Sequence, residues 1–401
     1  MNISHALGLH MHQPPENLGL LYETNQWEAR QIIQCYARPV KFIQQFSDVA
    51  YLNIGFSGIL LEQLSDPEIQ NDFKQIFDLE DILCQYQKAE QIEIIGMGYY
   101  HPIFPLIPVE DWKAQLEKGR NMVKETFGIQ PIGFWPSEMA FSMEMIPALR
   151  EAGYEYVIVD SVHIHPENGE EIKKTSISSN MIYLPHIARY EGYEIVIVPR
   201  DRDISNAQES GMDPGWFENE VNHKAGSVKG SCLVTTWSDG ENGGWFRQMD
   251  EDFGFWGHFF APYMQRVREG EFSVQPVRLS DYINDCPPRD YVFVQTGAWN
   301  VARTSGSDFS QWAESPGQKR ALEEVWEVSR EFHRLEREVE KRKEEAIDPD
   351  HLRNLLNKAQ DWLLKAETSC YFFWGDAWIS KVYDQTKPAR IILRQIGEIL
   401  A

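Results

Sequence analysis

The chain has 401 residues, 42% of them hydrophobic, enough to bury a core as one large α/β domain or as a large domain carrying a smaller one. Its 61 acidic against 38 basic residues give a formal charge of −23, a field that repels phosphate backbones and anionic lipid, so no nucleic acid and no membrane is expected as a partner. A neutral polymer such as a polysaccharide is not disfavoured, and 13 Trp suit stacking on sugar faces as well as core packing.

Cys35, Cys84, Cys232, Cys286 and Cys370 are scattered with no CxxC pair, as expected of reduced thiols rather than a disulfide framework or a structural zinc site. The opening residues lack a basic segment followed by an apolar one, and no run of about 20 apolar residues follows, which predicts a cytoplasmic protein.

In chain order, Ala6–Leu9 is a short apolar run that leads into His10-Met-His-Gln-Pro-Pro15, a strand ending in a proline-stopped polar loop. His10 and His12 alternate by two and share a side if the strand continues through them. Residues 27–47 read as helix and 51–56 as a second strand, and Gly58 opens another helix. Residues 91–95 form a buried strand that runs into two glycines, two tyrosines and His101. Helix 110–126 precedes Ile132-Gly-Phe-Trp135, followed by helix 143–152 and strands at 156–159, 193–199 and 231–236. Apolar strands alternating with amphipathic helices predict a parallel sheet with helices outside, and six or seven strands suggest an irregular barrel. Residues 161–192 break the rhythm and read as an excursion loop or small hairpin. Beyond residue 300 the character changes to charged amphipathic helices at 321–343, 350–366 and 387–400, which divides the chain into a catalytic domain, 1–300, and a helical C-terminal domain, 301–401.

Two stretches carry the chemistry. Glu138 follows Trp135-Pro-Ser, so proline stops the strand and places the carboxylate at its tip, and Asp239 stands just past Val234-Thr-Thr-Trp237 beside Gly240, Gly243 and Gly244. Two carboxyl groups in different environments, one ionised and one protonated, are what cleavage of a glycosidic bond requires.

His10-Met-His-Gln-Pro14, Ile92-Glu-Ile through Tyr100-His-Pro-Ile103, Trp135-Pro-Ser-Glu138, Asp239-Gly-Glu-Asn242 and Glu367-Thr-Ser-Cys-Tyr-Phe-Phe-Trp-Gly375 together resemble the five ordered motif regions of glycoside hydrolase family 57. The resemblance implies an α/β fold, an irregular seven-stranded (β/α) barrel with a C-terminal helical domain. It also implies an enzyme acting on α-glucan oligo- or polysaccharides by a retaining mechanism, with no metal and no cofactor. Matched by position, Glu138 is the nucleophile and Asp239 the general acid and base, while His10, His12 and Glu93 line the sugar subsite. Trp237 and Trp374 are aromatic walls and Arg200 is a further contact; His101 and Trp135, at strand ends, join the substrate-binding set. Many relatives carry Asp after the serine of the last motif, whereas here Cys370 follows Ser369, leaving one polar contact from the helical domain unassigned.

Two other classes fit parts of the pattern. His10, His12 and His101 with a carboxylate are the ingredients of a metal-dependent hydrolase or deacetylase, although no HxxxH or HExxH spacing occurs. A carbohydrate-binding or regulatory homologue without turnover would keep the fold, but the presence of both carboxylates argues against it.

Overall fold

The computed structural model describes residues 2–167, 179–241, 246–248, 250–299, 309–342 and 348–401. Among the described residues eleven strands run in chain order: β1 Asn2–Met11, β2 Leu52–Phe56, β3 Ile92–Ile95, β4 Gly133–Phe134, β5 Tyr156–Asp160, β6 Ile164–Pro166, β7 His186–Tyr190, β8 Tyr193–Arg200, β9 Ser231–Asp239, β10 Val274–Pro276 and β11 Val292–Val294. The predicted helices at 27–47, 110–126 and 143–152 correspond to Gln26–Gln45, Val109–Phe127 and Met145–Glu151.

Parallel strands need long crossovers, and here helices supply them, so both sheet faces are covered and β1 and β9 are buried along nearly all their length even where they carry polar residues. Every residue of β2 and of β5 is buried. β1 is the centre of the first sheet, pairing in parallel with β2, β9 and β10, and β2 continues to β3. The second sheet runs β4-β5-β8-β7, with β7 antiparallel. Two sets of backbone contacts join the sheets: Gly96, just past β3, bridges Phe134 of β4 in the parallel sense, and the Asp201 N–H after β8 donates to Thr235 O of β9 at 2.8 Å.

The stretch read as an excursion contains two pairings that the sequence reading had left open. β7 and β8 form a hairpin closed by Glu191 and Gly192, both at positive φ (48° and 84°), the left-handed conformation that matches strand twist. β6 pairs antiparallel with β11, far along the chain. Residues 168–178 of this stretch lie outside the described residues.

Close packing inside the first sheet depends on one glycine. A Cβ on Gly8 would lie 1.9 Å from the Trp237 ring, so only glycine lets β1 pass this indole.

The C-terminal helices Pro316–Lys341, Pro349–Ala366 and Ile379–Leu400 build a core of their own. Val325, Phe332 and Leu335 of the first pack with Leu356 and Leu363 of the second and Val382 and Leu393 of the third. The last helix begins earlier than the sequence suggests and runs through Pro388. Ile103, Ala140 and Ala298 belong to the same core, so the helices rest on the end of the sheets where the strands finish.

Candidate active site

Strand register explains the meeting of residues remote in sequence. His10 of β1 pairs with Asp239 of β9, and its Nε2 lies 3.8 Å from Asp239 Oδ2. β9 extends three residues beyond the predicted end, so Asp239 is its last residue rather than a loop residue. Its side chain is 25% exposed, and its Oδ1 accepts the Glu241 N–H at 3.0 Å.

Pro136 stops β4, and the chain turns at once: Glu138 and Met139 both adopt left-handed backbone, φ 57° and 53°. Trp299 holds this turn at two points, its backbone N–H donating to Glu138 O at 2.9 Å and its indole Nε1–H to Glu138 Oε2 at 2.7 Å. Burial pushes the half-buried Glu138 carboxyl up to about 7; the Trp299 N–H works against that rise and the Asp239 charge adds to it. The two carboxyl groups therefore share one electrostatic site.

Between and behind them lies a slab of nearly parallel rings. His10 stacks on Trp135 at 4.0 Å and 14°, and His12 on His101 at 4.0 Å and 7°. Trp299 meets His10 and Trp135 edge-on at 5.2 and 5.6 Å. Burial lowers all three imidazoles, His12 to about 3, and the mutual repulsion of the rings lowers His12 and His101 further, so they are neutral at ordinary pH. His101, too, has positive φ, 58°, which makes three non-glycine residues in this strained region at one site.

The structure thus brings Glu138, Asp239, His10, His12, His101 and Trp135 together, with Arg200 alongside. Arg200 is buried, donates from Nε to Trp237 O at 2.8 Å, lies 3.4 Å from Asp160 Oδ2 and covers the Trp299 ring at 5.5 Å. Trp135 and Trp237 are both fully buried, so they form the floor of the site, not a wall open to ligand. Trp374 is 57% exposed beside Phe373 and Trp378, outside the ring slab.

Glu93 is placed elsewhere. It stands in β3 level with Asn53 of β2, two residues before the level of His10, and its carboxyl accepts Tyr156 Oη–H at 2.5 Å and the Ser280 N–H at 2.9 Å. A strand-interior carboxylate committed to two donors does not reach the strand ends, where His101 stands instead.

Several residues of the site escape sequence reasoning. Glu241 is buried, accepts the His12 N–H at 2.7 Å, and burial together with Asp239 lifts its carboxyl well above the usual carboxylate range. Asp160 ends a buried strand just as Asp239 does, so the same rule could have found it. Trp299 gave no such signal, since its partner lies 161 residues away. Asn242 and Trp245 lie outside the described residues.

Strand-end carboxylates set over histidine and tryptophan rings define a carbohydrate-active class of site. Residues 6–295 match the model of glycosyl hydrolase family 57, and the chain belongs to that family. It is 24% identical over 332 residues to alpha-amylase 1 of Dictyoglomus thermophilum, covering 81% of this chain and 43% of that protein. It is 29% identical over 202 residues to the 4-alpha-glucanotransferase of Thermococcus litoralis, covering 50% of this chain and 27% of that protein. The chain therefore spans less than half the length of either relative. A GH57 branching enzyme from Thermococcus kodakaraensis shares the fold, with a TM-score of 0.70 and 15% identity over 99% of this chain and 90% of that one. Among the described residues no helix is long and apolar enough to cross a membrane.

Proposed function

We propose that this chain is a retaining glycoside hydrolase or transglycosylase that cleaves α-glucans through a glycosyl-enzyme intermediate. The observation that carries it is the Glu138 carboxyl, gripped by Trp299 and sharing an electrostatic site with Asp239 across His10. Glu138 attacks the anomeric carbon as Asp239 protonates the departing glycosidic oxygen, so the C–O bond breaks as the glycosyl ester forms. Asp239 then takes a proton from water or from a sugar hydroxyl, which displaces Glu138. The 25% exposure of the Asp239 side chain suits a group that must meet the incoming water or sugar hydroxyl in the second step. His10 presents a neutral imidazole to sugar hydroxyls with the His12–His101 stack beside it, Trp135 and Trp237 support them from below, and Arg200 fixes the end of β9 through Trp237 O.

The architecture behind this is a seven-stranded barrel, β1 to β5 with β8 and β9, supported by the Gly96–Phe134 and Asp201–Thr235 contacts, with the helical region 301–401 as a second domain. The stacked histidines argue against the metal-dependent reading, because rings lying face to face direct their nitrogens in parallel rather than toward one ion.

Incubation with maltoheptaose and amylose, followed by chromatography, tests the proposal. Shorter products alone mean hydrolysis, longer ones as well mean transfer, and unchanged sugar refutes turnover and favours a binding homologue. Glu138→Gln should lose turnover by roughly four orders of magnitude and keep sugar binding. The raised Glu138 carboxyl also favours a second reading with the two roles exchanged. Azide rescue separates them: a nucleophile variant yields the glycosyl azide of inverted configuration, an acid/base variant the retained one.

A further inference from the structure

We propose that Ser369 and Cys370, at the start of the short helix Ser369–Phe373, are positioning residues that clamp the His12–His101 stack in register with the catalytic carboxyl groups. The clamp is read from geometry, and only its kinetic test rests on the glycosidase reading given above.

Successive residues of one segment each engage the sheet end. Glu367 accepts Gln115 Nε2 of helix Val109–Phe127 at 2.8 Å, and Thr368 bridges Pro102. Ser369 then holds His101 twice, its N–H donating to His101 O at 3.1 Å and its hydroxyl pairing with Nδ1 at 2.8 Å. That double hold falls on one of the three non-glycine residues of the site with left-handed backbone, a conformation that persists only where the surroundings over-determine it. Cys370 Sγ pairs with His12 Nε2 at 3.3 Å. His12 is otherwise fixed by Ser57 Oγ at Nδ1, 2.8 Å, and by Glu241 at its backbone N–H. Of these three supports Cys370 alone belongs to the C-terminal region, and without it the ring can swing about the Ser57 bond and leave His101.

The chemistry of the thiol suits this place. Burial, and then the charge of Glu138, keep it protonated, so it gives His12 a neutral partner. A carboxylate here would add a further acidic group to a site that already holds Glu138, Asp239 and Glu241. A neutral Cys370 thus leaves the proton balance of the catalytic pair to those groups.

The test uses the full chain with Cys370→Ala, Cys370→Ser and Cys370→Asp. On maltoheptaose, Cys370→Ala should lower kcat/KM by about 10- to 100-fold, the usual cost of a misplaced catalytic group, mainly through kcat. Cys370→Ser should return it to within about threefold, since a hydroxyl restores the hydrogen bond. Cys370→Asp should move both limbs of the pH–rate profile upward. An activity of Cys370→Ala within about twofold of the parent, or a Cys370→Ser as poor as Cys370→Ala, overturns the proposal. Nitrogen-15 spectra of histidine-labelled protein decide it without turnover: the His12 Nε2 resonance should shift in Cys370→Ala and that of His163 should not. A parent protein that turns over no α-glucan would sink the glycosidase reading, while an unmoved His12 resonance would sink the clamp.

Discussion

Trp299→Phe exchanges the indole for a smaller phenyl ring with no N–H to donate to Glu138, and its effect on the pH–rate profile follows from the geometry. In the proposed mechanism Glu138 must be ionised to attack, and burial pushes its carboxyl up to about 7, so the acid limb of kcat/KM should lie near that value. Trp299 Nε1–H donates to Oε2 at 2.7 Å and favours the ionised form. A hydrogen bond to a charged acceptor contributes about 1.5–3 kcal/mol, and about 1.4 kcal/mol corresponds to one pH unit, so removing the donor should raise the limb by about one to two units. The indole is only 8% exposed, so water can replace the lost donor only in part. Initial rates at substrate concentrations far below KM, taken from about pH 4 to about pH 10, would show the limb directly. A limb that stays where it is in the parent protein, or that moves downward, would refute both the hydrogen bond's role and the nucleophile assignment.

Further predictions rest on the same residues. The folded-state pKa of Glu138 is raised, so its contribution to stability is present below the ordinary carboxylate value and is lost as pH rises through about 7. Glu138→Gln should therefore be more stable than the parent by about 3 kcal/mol above about pH 8 and no more stable near about pH 4; equal gaps in thermal melts at both pH values would contradict this. Glu241→Gln should keep kcat/KM within about threefold, because the amide oxygen still accepts the His12 N–H, whereas Glu241→Ala strands that buried N–H and should cost about 1–3 kcal/mol; a large loss of activity in the glutamine variant would mean that the carboxylate form is needed. Gly8→Ala drives a methyl group into the Trp237 ring and should destabilise by about 3 kcal/mol or more, seen as poor soluble yield or a lowered melting point, and a normal melt would show that β1 and the indole can part.

How far the sequence could be read depended on the range of the interaction. The strand-end positions of Glu138 and Asp239 were legible because proline, tryptophan and glycine beside them are local signals of a strand end, and the five motifs in order pointed to the family. Glu93 was misplaced for want of the same local test: it lies inside β3, and only strand register and its bonds to Tyr156 and Ser280 show where its carboxyl goes. Trp135 and Trp237 look alike in sequence whether they face a sugar or a core, and burial alone decides between the two. Trp299 sits in a stretch with strand-like composition, and its role arises from a turn at Glu138 that no spacing announces. The β6–β11 and β7–β8 pairings were hidden in a segment without clear periodicity, where turn residues and a distant partner strand set the structure.

The bond between His12 and Cys370 joins residues 358 positions apart. At a synthesis rate of about 5–20 residues per second, the thiol leaves the ribosome roughly 20–70 seconds after the histidine it holds. His12, just past the first strand, can rest on Ser57 early, but its ring lacks the second hold until nearly the whole chain has been made. Vectorial synthesis thus makes the histidine stack one of the last parts of the molecule to be locked, since a nascent chain that ends before residue 370 lacks the Cys370 hold on the His12 ring.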